Sequence, residues 1–291
     1  MRHGWKAATA AAGVMALLLG AAGCYRTSSR SGWLDVDAGL DHTCAVRDDG
    51  AARCFGLDDE GQGSSPSAEL TFTRVSASER HSCGIWDDAS VSCWGLSYLA
   101  EERLADGPYV AVAAGTLSTC ALREDGSLRC WGFQLNEDAA TPSDDFLQIS
   151  AGTTHFCGVE LDGGAHCWGD GALETIDPPG GVFTEIDAGP AYSCGVGEDG
   201  SLTCWGEIPE AVADGLPDEH FVSVTVEAAY ACAVVDGGSV VCWGDGYMAD
   251  VAPPAGDFSR VRGGRNHACG LRDGGELVCW GETREGQASP P

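Results

Sequence analysis

The chain has 291 residues, 44% of them hydrophobic, and carries 16 basic against 44 acidic side chains for a formal net charge of −28. That composition can fill the core of one or two domains, and it excludes the nucleic-acid and anionic-lipid binding classes, which need clustered cations to neutralise phosphate. The excess of carboxylates keeps an exported protein soluble and makes a cationic partner electrostatically easier.

Residues 1–23 read as an export signal. Arg2 and Lys6 form its basic start, and Ala7 to Leu19 is an apolar run of signal-peptide length, too short to span a bilayer comfortably. The stretch LGAAGC, Leu19 to Cys24, resembles the lipobox of bacterial lipoproteins, with Ala21 where that motif usually has Leu. The resemblance implies that Cys24 is lipidated and becomes the new N-terminus; secretion with a free Cys24 is the alternative. Of 15 cysteines, fourteen form equally spaced pairs and Cys24 is left over, which agrees with lipidation. Residues 24–32 are then the lipidated cysteine and a polar tether with a reach of about 25 Å. Contact with a membrane is expected only through this lipid, at the cell envelope. In a Gram-negative cell Tyr25, in place of Asp after the cysteine, points to the outer membrane. Without the leader the chain keeps 14 Arg, no Lys and a charge of −30.

From Trp33 to Pro291 the chain repeats itself seven times. First cysteines stand at Cys44, Cys83, Cys120, Cys157, Cys194, Cys232 and Cys269, and each has a second ten residues on. Eleven residues before each first cysteine is an aromatic: Trp33, Phe72, Tyr109, Phe146, Phe183, Phe221 or Phe258. The unit predicts short strands, the last two forming a hairpin around an Asp-Gly signal, as in CALREDGSLRCWG, Cys120 to Gly132. Six residues after the first cysteine comes Gly50, Gly126, Gly163, Gly200, Gly238 or Gly275, with Ala89 the exception. A glycine there supplies the positive φ of a three-residue turn with a G1 bulge. If Arg123 then pairs with Ser127, Cys120 falls opposite Cys130 at the separation a disulfide needs. The predicted bridges are Cys44–Cys54, Cys83–Cys93, Cys120–Cys130, Cys157–Cys167, Cys194–Cys204, Cys232–Cys242 and Cys269–Cys279. The spacing fits neither structural zinc nor a C-x-x-C redox pair.

The pattern aromatic-x-x-Val/Ile-x-Ala-Gly-x-x-His-x-Cys-Ala/Gly-Leu/Val-x-x-Asp-Gly-x-x-x-Cys-Trp-Gly resembles the repeat of the regulator of chromosome condensation family, in its bacterial, cysteine-paired form. The resemblance implies an all-β, seven-bladed propeller, a fold shared with a secreted β-lactamase inhibitor. Seven copies also suit one closed ring, where an open solenoid would need atypical end repeats. Departures fall at Phe55, at Ser78 and Ala89, and at VEAAY, Val226 to Tyr230, which stands for AGxxH. The family's chromatin and Ran-exchange roles do not transfer to an exported, acidic, lysine-free chain.

The repeated residues read as scaffold. Trp94, Trp131, Trp168, Trp205, Trp243 and Trp280 are expected to pack between blades rather than stack on sugars. The series His42, His81, Ser118, His155, Tyr192, Tyr230 and His267 is expected to hydrogen-bond, not to hold a metal, because serine and tyrosine substitute in it. No G-x-S-x-G, H-E-x-x-H or phosphate loop is present, so no catalytic residue, cofactor or metal centre is expected. Specific recognition is assigned to the segments between each Trp-Gly and the next aromatic, which hold 24 acidic residues against Arg103 and Arg284 and vary from copy to copy. Tyr98, Phe133, Tyr247 and Met248 are their candidate contact residues. The function predicted is non-catalytic binding by a monomer, of a protein with a basic surface. Lectin-like binding of an extracellular or cell-wall glycan is the alternative, and a hydrolase the weaker third.

Overall fold

Each pair of cysteines closes a hairpin whose turn sets the register. In the third repeat the amide of Arg123 donates to the carbonyl of Ser127, the amide of Gly126 donates back to Arg123, and Gly126 has φ +88°. Cys120 thereby lies opposite Cys130, bridged at a Cα separation of 4.0 Å. The other six pairs follow the same register, with Cα separations of 4.0 or 4.1 Å. Ala89 takes the turn position in the second repeat at φ +62°, the one positive φ at a non-glycine among the described residues. An L-residue there costs about 1–2 kcal/mol, of which the greater unfolded-state freedom of glycine returns part, so Ala89→Gly is expected to stabilise by about 0.5–1 kcal/mol. The urea midpoint of the disulfide-bonded protein checks this, and an unchanged or lower midpoint would refute it.

The computed structural model describes residues 32–67, 70–96, 103–132, 142–169 and 177–291. They form seven antiparallel three-stranded sheets, one per repeat. The inner strands are β1 (Trp33–Ala38), β4 (Phe72–Ala77), β7 (Tyr109–Ala114), β10 (Phe146–Ala151), β13 (Phe183–Ala188), β16 (Phe221–Val226) and β19 (Phe258–Gly263). The middle strands are β2 (His42–Arg47), β5 (His81–Trp86), β8 (Ser118–Arg123), β11 (His155–Glu160), β14 (Tyr192–Gly197), β17 (Tyr230–Val235) and β20 (His267–Arg272). Outermost are β3 (Ala52–Gly56), β6 (Val91–Gly95), β9 (Leu128–Gly132), β12 (Ala165–Gly169), β15 (Leu202–Gly206), β18 (Val240–Gly244) and β21 (Leu277–Gly281).

Among the described residues there is no single central core. Seven apolar clusters fill the seams, each joining one blade's cysteine and branched residues to the next blade's first aromatic and Trp-Gly position. Between the fourth and fifth blades, Cys157 and Val159 meet Phe183, Ile186 and Trp205. Trp205 lies 5.7 Å from Phe183 of its own blade, so the tryptophans are seam packing as expected. Two inter-repeat segments, expected to be loops, instead carry short helices: α1 (Glu210–Asp214) and α2 (Tyr247–Asp250). Each turns one apolar side chain into a seam, Val212 from α1 and Met248 from α2.

The ring closes without strand exchange. Cys269, Leu271 and Leu277 of the last blade pack on Val36 and Ala45 of the first, and the Trp33 amide donates to the Gly275 carbonyl at 2.7 Å. The residues after β21 seal this junction, because the Thr43 hydroxyl donates to the carbonyl of buried Gln287 at 3.0 Å. Gln62 does the same between the first two blades, its carbonyl accepting from Ser82 at 3.1 Å. The segments LDDEGQG and ETREGQA thus perform one task at successive junctions.

Candidate functional site

The ring histidines are bolts between blades. His42 Nε2 meets Ser82 Oγ at 2.8 Å, His81 meets Thr119 at 2.8 Å, His155 meets Ser193 at 2.9 Å, and His267 meets Thr43 at 2.8 Å. Ser82 and Thr43 spend their protons on the Gln62 and Gln287 carbonyls. They therefore accept from histidine, which puts the proton of His42 and His267 on Nε2. Burial holds the histidines well below their ordinary value, His42 to about 3, with His267 and His81 adding to its fall, and His81, His155 and His267 to about 4. Where the series departs from histidine, the hydroxyl before the next cysteine is also gone: Ser118 faces a blade with Phe156, Tyr192 one with Ala231, Tyr230 one with Ala268. The tyrosines reach a backbone carbonyl instead, Tyr192 that of Tyr230 at 3.1 Å and Tyr230 that of Gly264 at 2.5 Å. Ser78, one of the repeat-two departures, brings its hydroxyl to 2.8 Å from His81 Nδ1.

A charged axial channel of about 360 Å³ runs between the inner strands. It was not anticipated, although the third and fifth residues of each inner strand alternate with apolar ones and are mostly polar: Asp35 and Asp37, Gln148 and Ser150, Glu185 and Asp187, Arg260 and Arg262. The fifth residue latches the next blade's backbone. Asp37 accepts from the Ala77 amide at 2.8 Å, Ser76 from Ala114 at 3.0 Å, Ser150 from Ala188 at 3.1 Å, Asp187 from Val226 at 2.7 Å and Thr225 from Gly263 at 2.9 Å. The other two junctions have Ala113, with no acceptor, and Arg262, which reaches across the ring to Glu185 at 3.2 Å. Arg260 pairs with buried Asp35 at 2.6 Å. Burial raises the Asp35, Asp37 and Asp187 carboxyls, Asp37 to about 6 against the pull of Arg262. It also raises Glu227, strongly, with Asp187 and Asp37 repelling its charge. Glu227 occupies the place of the glycines that line the narrow mouth, where blades approach so closely that a Cβ on Gly152 would stand 2.1 Å from the Gly189 carbonyl.

On the same face a cleft of about 710 Å³ lies beside α2 and the last residues of the chain. Asp41, Tyr247, Arg265, Asn266, Glu282 and Glu285 are among its lining. Arg265 pairs with Asp41 at 3.2 Å and Asn266 donates to Glu282 at 3.0 Å. Tyr247 is 52% exposed at the rim. Met248 corrects its assignment as a contact residue: it is buried at 1% among Tyr230, Phe258 and Trp280, because α2 must cover the apolar seam beneath it. Tyr98, Phe133 and Cys24 lie outside the described residues. At the opposite face the bulged second residues of four inner strands, Leu34, Val110, Leu147 and Val222, are 46–60% exposed around the wider mouth.

A disulfide-stapled, seven-bladed propeller with one repeat per blade is thus the class of protein that fold and seams define. The family model of the regulator of chromosome condensation repeat matches residues 33–62, 109–137 and 258–287. The structure is similar to the ectodomain of the receptor kinase CR4 of Physcomitrella patens, with 28% identity, a TM-score of 0.71, and 85% of this chain and 72% of that one covered. It is also similar to the CRINKLY WD40 ectodomain of the Arabidopsis thaliana receptor kinase ACR4, with 26% identity, a TM-score of 0.61, and 72% and 78% covered. Prp20p of Saccharomyces cerevisiae, which binds Gsp1p and histones, shares the fold at 17% identity and a TM-score of 0.60, over 76% and 74% of the chains. No curated protein sequence matches the chain. Seven disulfides belong to an oxidising, exported setting. No helix among the described residues is long and apolar enough to cross a membrane.

Proposed function

We propose that the protein is a non-catalytic binding module, held at the cell envelope by a lipid on Cys24, whose partner is a protein with a basic surface. The observation that carries this reading is the division of labour within the repeat. The recurring polar residues are consumed by seams and channel latches, while exposed Tyr247 and Glu285 border an open cleft beside Asp41 and Glu282, which are paired with Arg265 and Arg284. An exposed aromatic among acidic groups is how an anchor for a cationic partner is built. Protein binding by Prp20p and the ectodomain setting of the two receptor-kinase neighbours support the same reading. A pyranose is the competing occupant, because a tyrosine face beside Asn266 and paired carboxylates is also a sugar-binding arrangement.

The test is capture from envelope and secreted fractions with the soluble, disulfide-bonded Gly32–Pro291 protein. A protein partner is expected whose retention falls sharply as salt rises and falls again in Tyr247→Ala. Glycan-array binding that survives high salt would overturn this choice in favour of the sugar.

A further inference from the structure

His166 is set apart from the other histidines. Among the described residues, four are locked between blades and His220 Nδ1 meets the Asp199 carbonyl at 2.8 Å. His166 alone faces carboxylate oxygens: its Nδ1 is 3.0 Å from Glu160 Oε1 and 3.2 Å from Asp144 Oδ2. The three residues come from β12, the end of β11, and the segment entering β10. They are the one group of three such donors, among the described residues, whose ligand atoms all lie within 4.8 Å of one another. The scaffold does not require any of them. The position of His166 is held in other copies by Arg53, Ser92, Arg129, Thr203, Val241 and Val278, and that of Glu160 by Arg47, Trp86, Gly197 and others. The imidazole is held in place by its neighbours, 6.0 Å from the Phe146 ring and edge-on to Trp168 at 6.2 Å.

We infer that His166, Glu160 and Asp144 form a surface binding site for a zinc-class divalent cation. One imidazole nitrogen and two carboxylate oxygens are the donors zinc takes, and three protein ligands leave its fourth position to water. Metal–ligand bonds of about 2.0–2.2 Å in a tetrahedron put donor atoms about 3.4 Å apart. The two separations from Nδ1 need open by only a few tenths of an ångström to match, which the half-exposed side chains allow. Calcium, which seeks six to eight oxygens, is the poorer fit. Two carboxylates also cancel the cation's charge, so binding does not need the wider acidic field.

Calorimetric titration of zinc chloride into the disulfide-bonded protein at physiological salt tests the site. One saturable equivalent is expected, lost in His166→Ala and unchanged in His220→Ala, with Glu160→Gln and Asp144→Asn each weakening it about tenfold or more. Near-UV circular dichroism of the variants shows that the ring is intact. Absence of saturable zinc binding, or its retention in folded His166→Ala, would overturn the assignment and leave the three residues as an ion-paired cluster.

Discussion

Refolding without oxidation should leave the chain unable to hold the ring. Each bridge joins residues ten apart. A loop of that size contributes about 2–3 kcal/mol by chain entropy, while a whole domain is stable by only about 5–15 kcal/mol. Taken as additive, seven such contributions come to about 14–21 kcal/mol, as much as or more than a domain has to lose. The seams explain why nothing else compensates: the first cysteine of every pair is fully buried in its cluster, so the bridge is both the hairpin's clamp and part of the apolar contact between blades. Protein denatured, reduced and diluted into reductant should lack near-UV dichroism and a cooperative transition, and oxidation should restore both. The double variant Cys194→Ala/Cys204→Ala, which leaves six bridges, should remain folded with about 2–3 kcal/mol less stability by urea titration. A reduced chain that unfolds at the oxidised midpoint would sink this account.

Replacing His155 by glutamine should flatten the protein's acid limb. His155 is held at about 4 by burial, against an ordinary value of 6.5. Its folded value is depressed, so its neutral form contributes full stability above pH 6.5. That contribution is lost as pH falls from 6.5 towards 4, because the unfolded chain takes the proton first. Over that window one group removes about 1.4 kcal/mol per pH unit, about 3 kcal/mol in all. Glutamine keeps a donor for Ser193 and does not titrate, so the variant should lose about 1 kcal/mol at pH 7 and overtake the wild type between about pH 5.5 and 6. Asp37 works in the opposite sense: raised to about 6, it takes its proton in the folded ring first, and ring stability gains from it as pH falls from 6 to 3.8. Buried histidines and channel carboxyls thus act with opposite sign on the wild-type profile, and the difference between variant and wild type isolates the histidine. Urea midpoints at half-unit pH steps measure it. Parallel profiles for the two proteins would mean that His155 is not buried neutral.

The sequence by itself determined what lies within one hairpin. Ten residues between cysteines, a turn glycine six after the first and a Trp-Gly after the second dictate a register, and a register dictates a disulfide without reference to any other part of the chain. Repetition of that unit seven times determined the number of blades. The tertiary structure decided everything that passes between blades. His267 and Thr43 are separated by 224 positions, and Arg262 and Glu185 by 77, and only ring closure brings either pair together. The matching of histidine with a hydroxyl in the next copy is written in the sequence, but it is readable as a pairing only once neighbouring blades are known to touch there. The same holds for Met248. On the chain it is an apolar residue in an acidic segment, which equally describes an exposed anchor and a plug. The uncovered seam beneath α2 makes it a plug and leaves Tyr247, one residue earlier, facing the cleft. Local spacing fixes contacts whose loop entropy is small, whereas contacts between blades depend on all seven units arriving at one geometry.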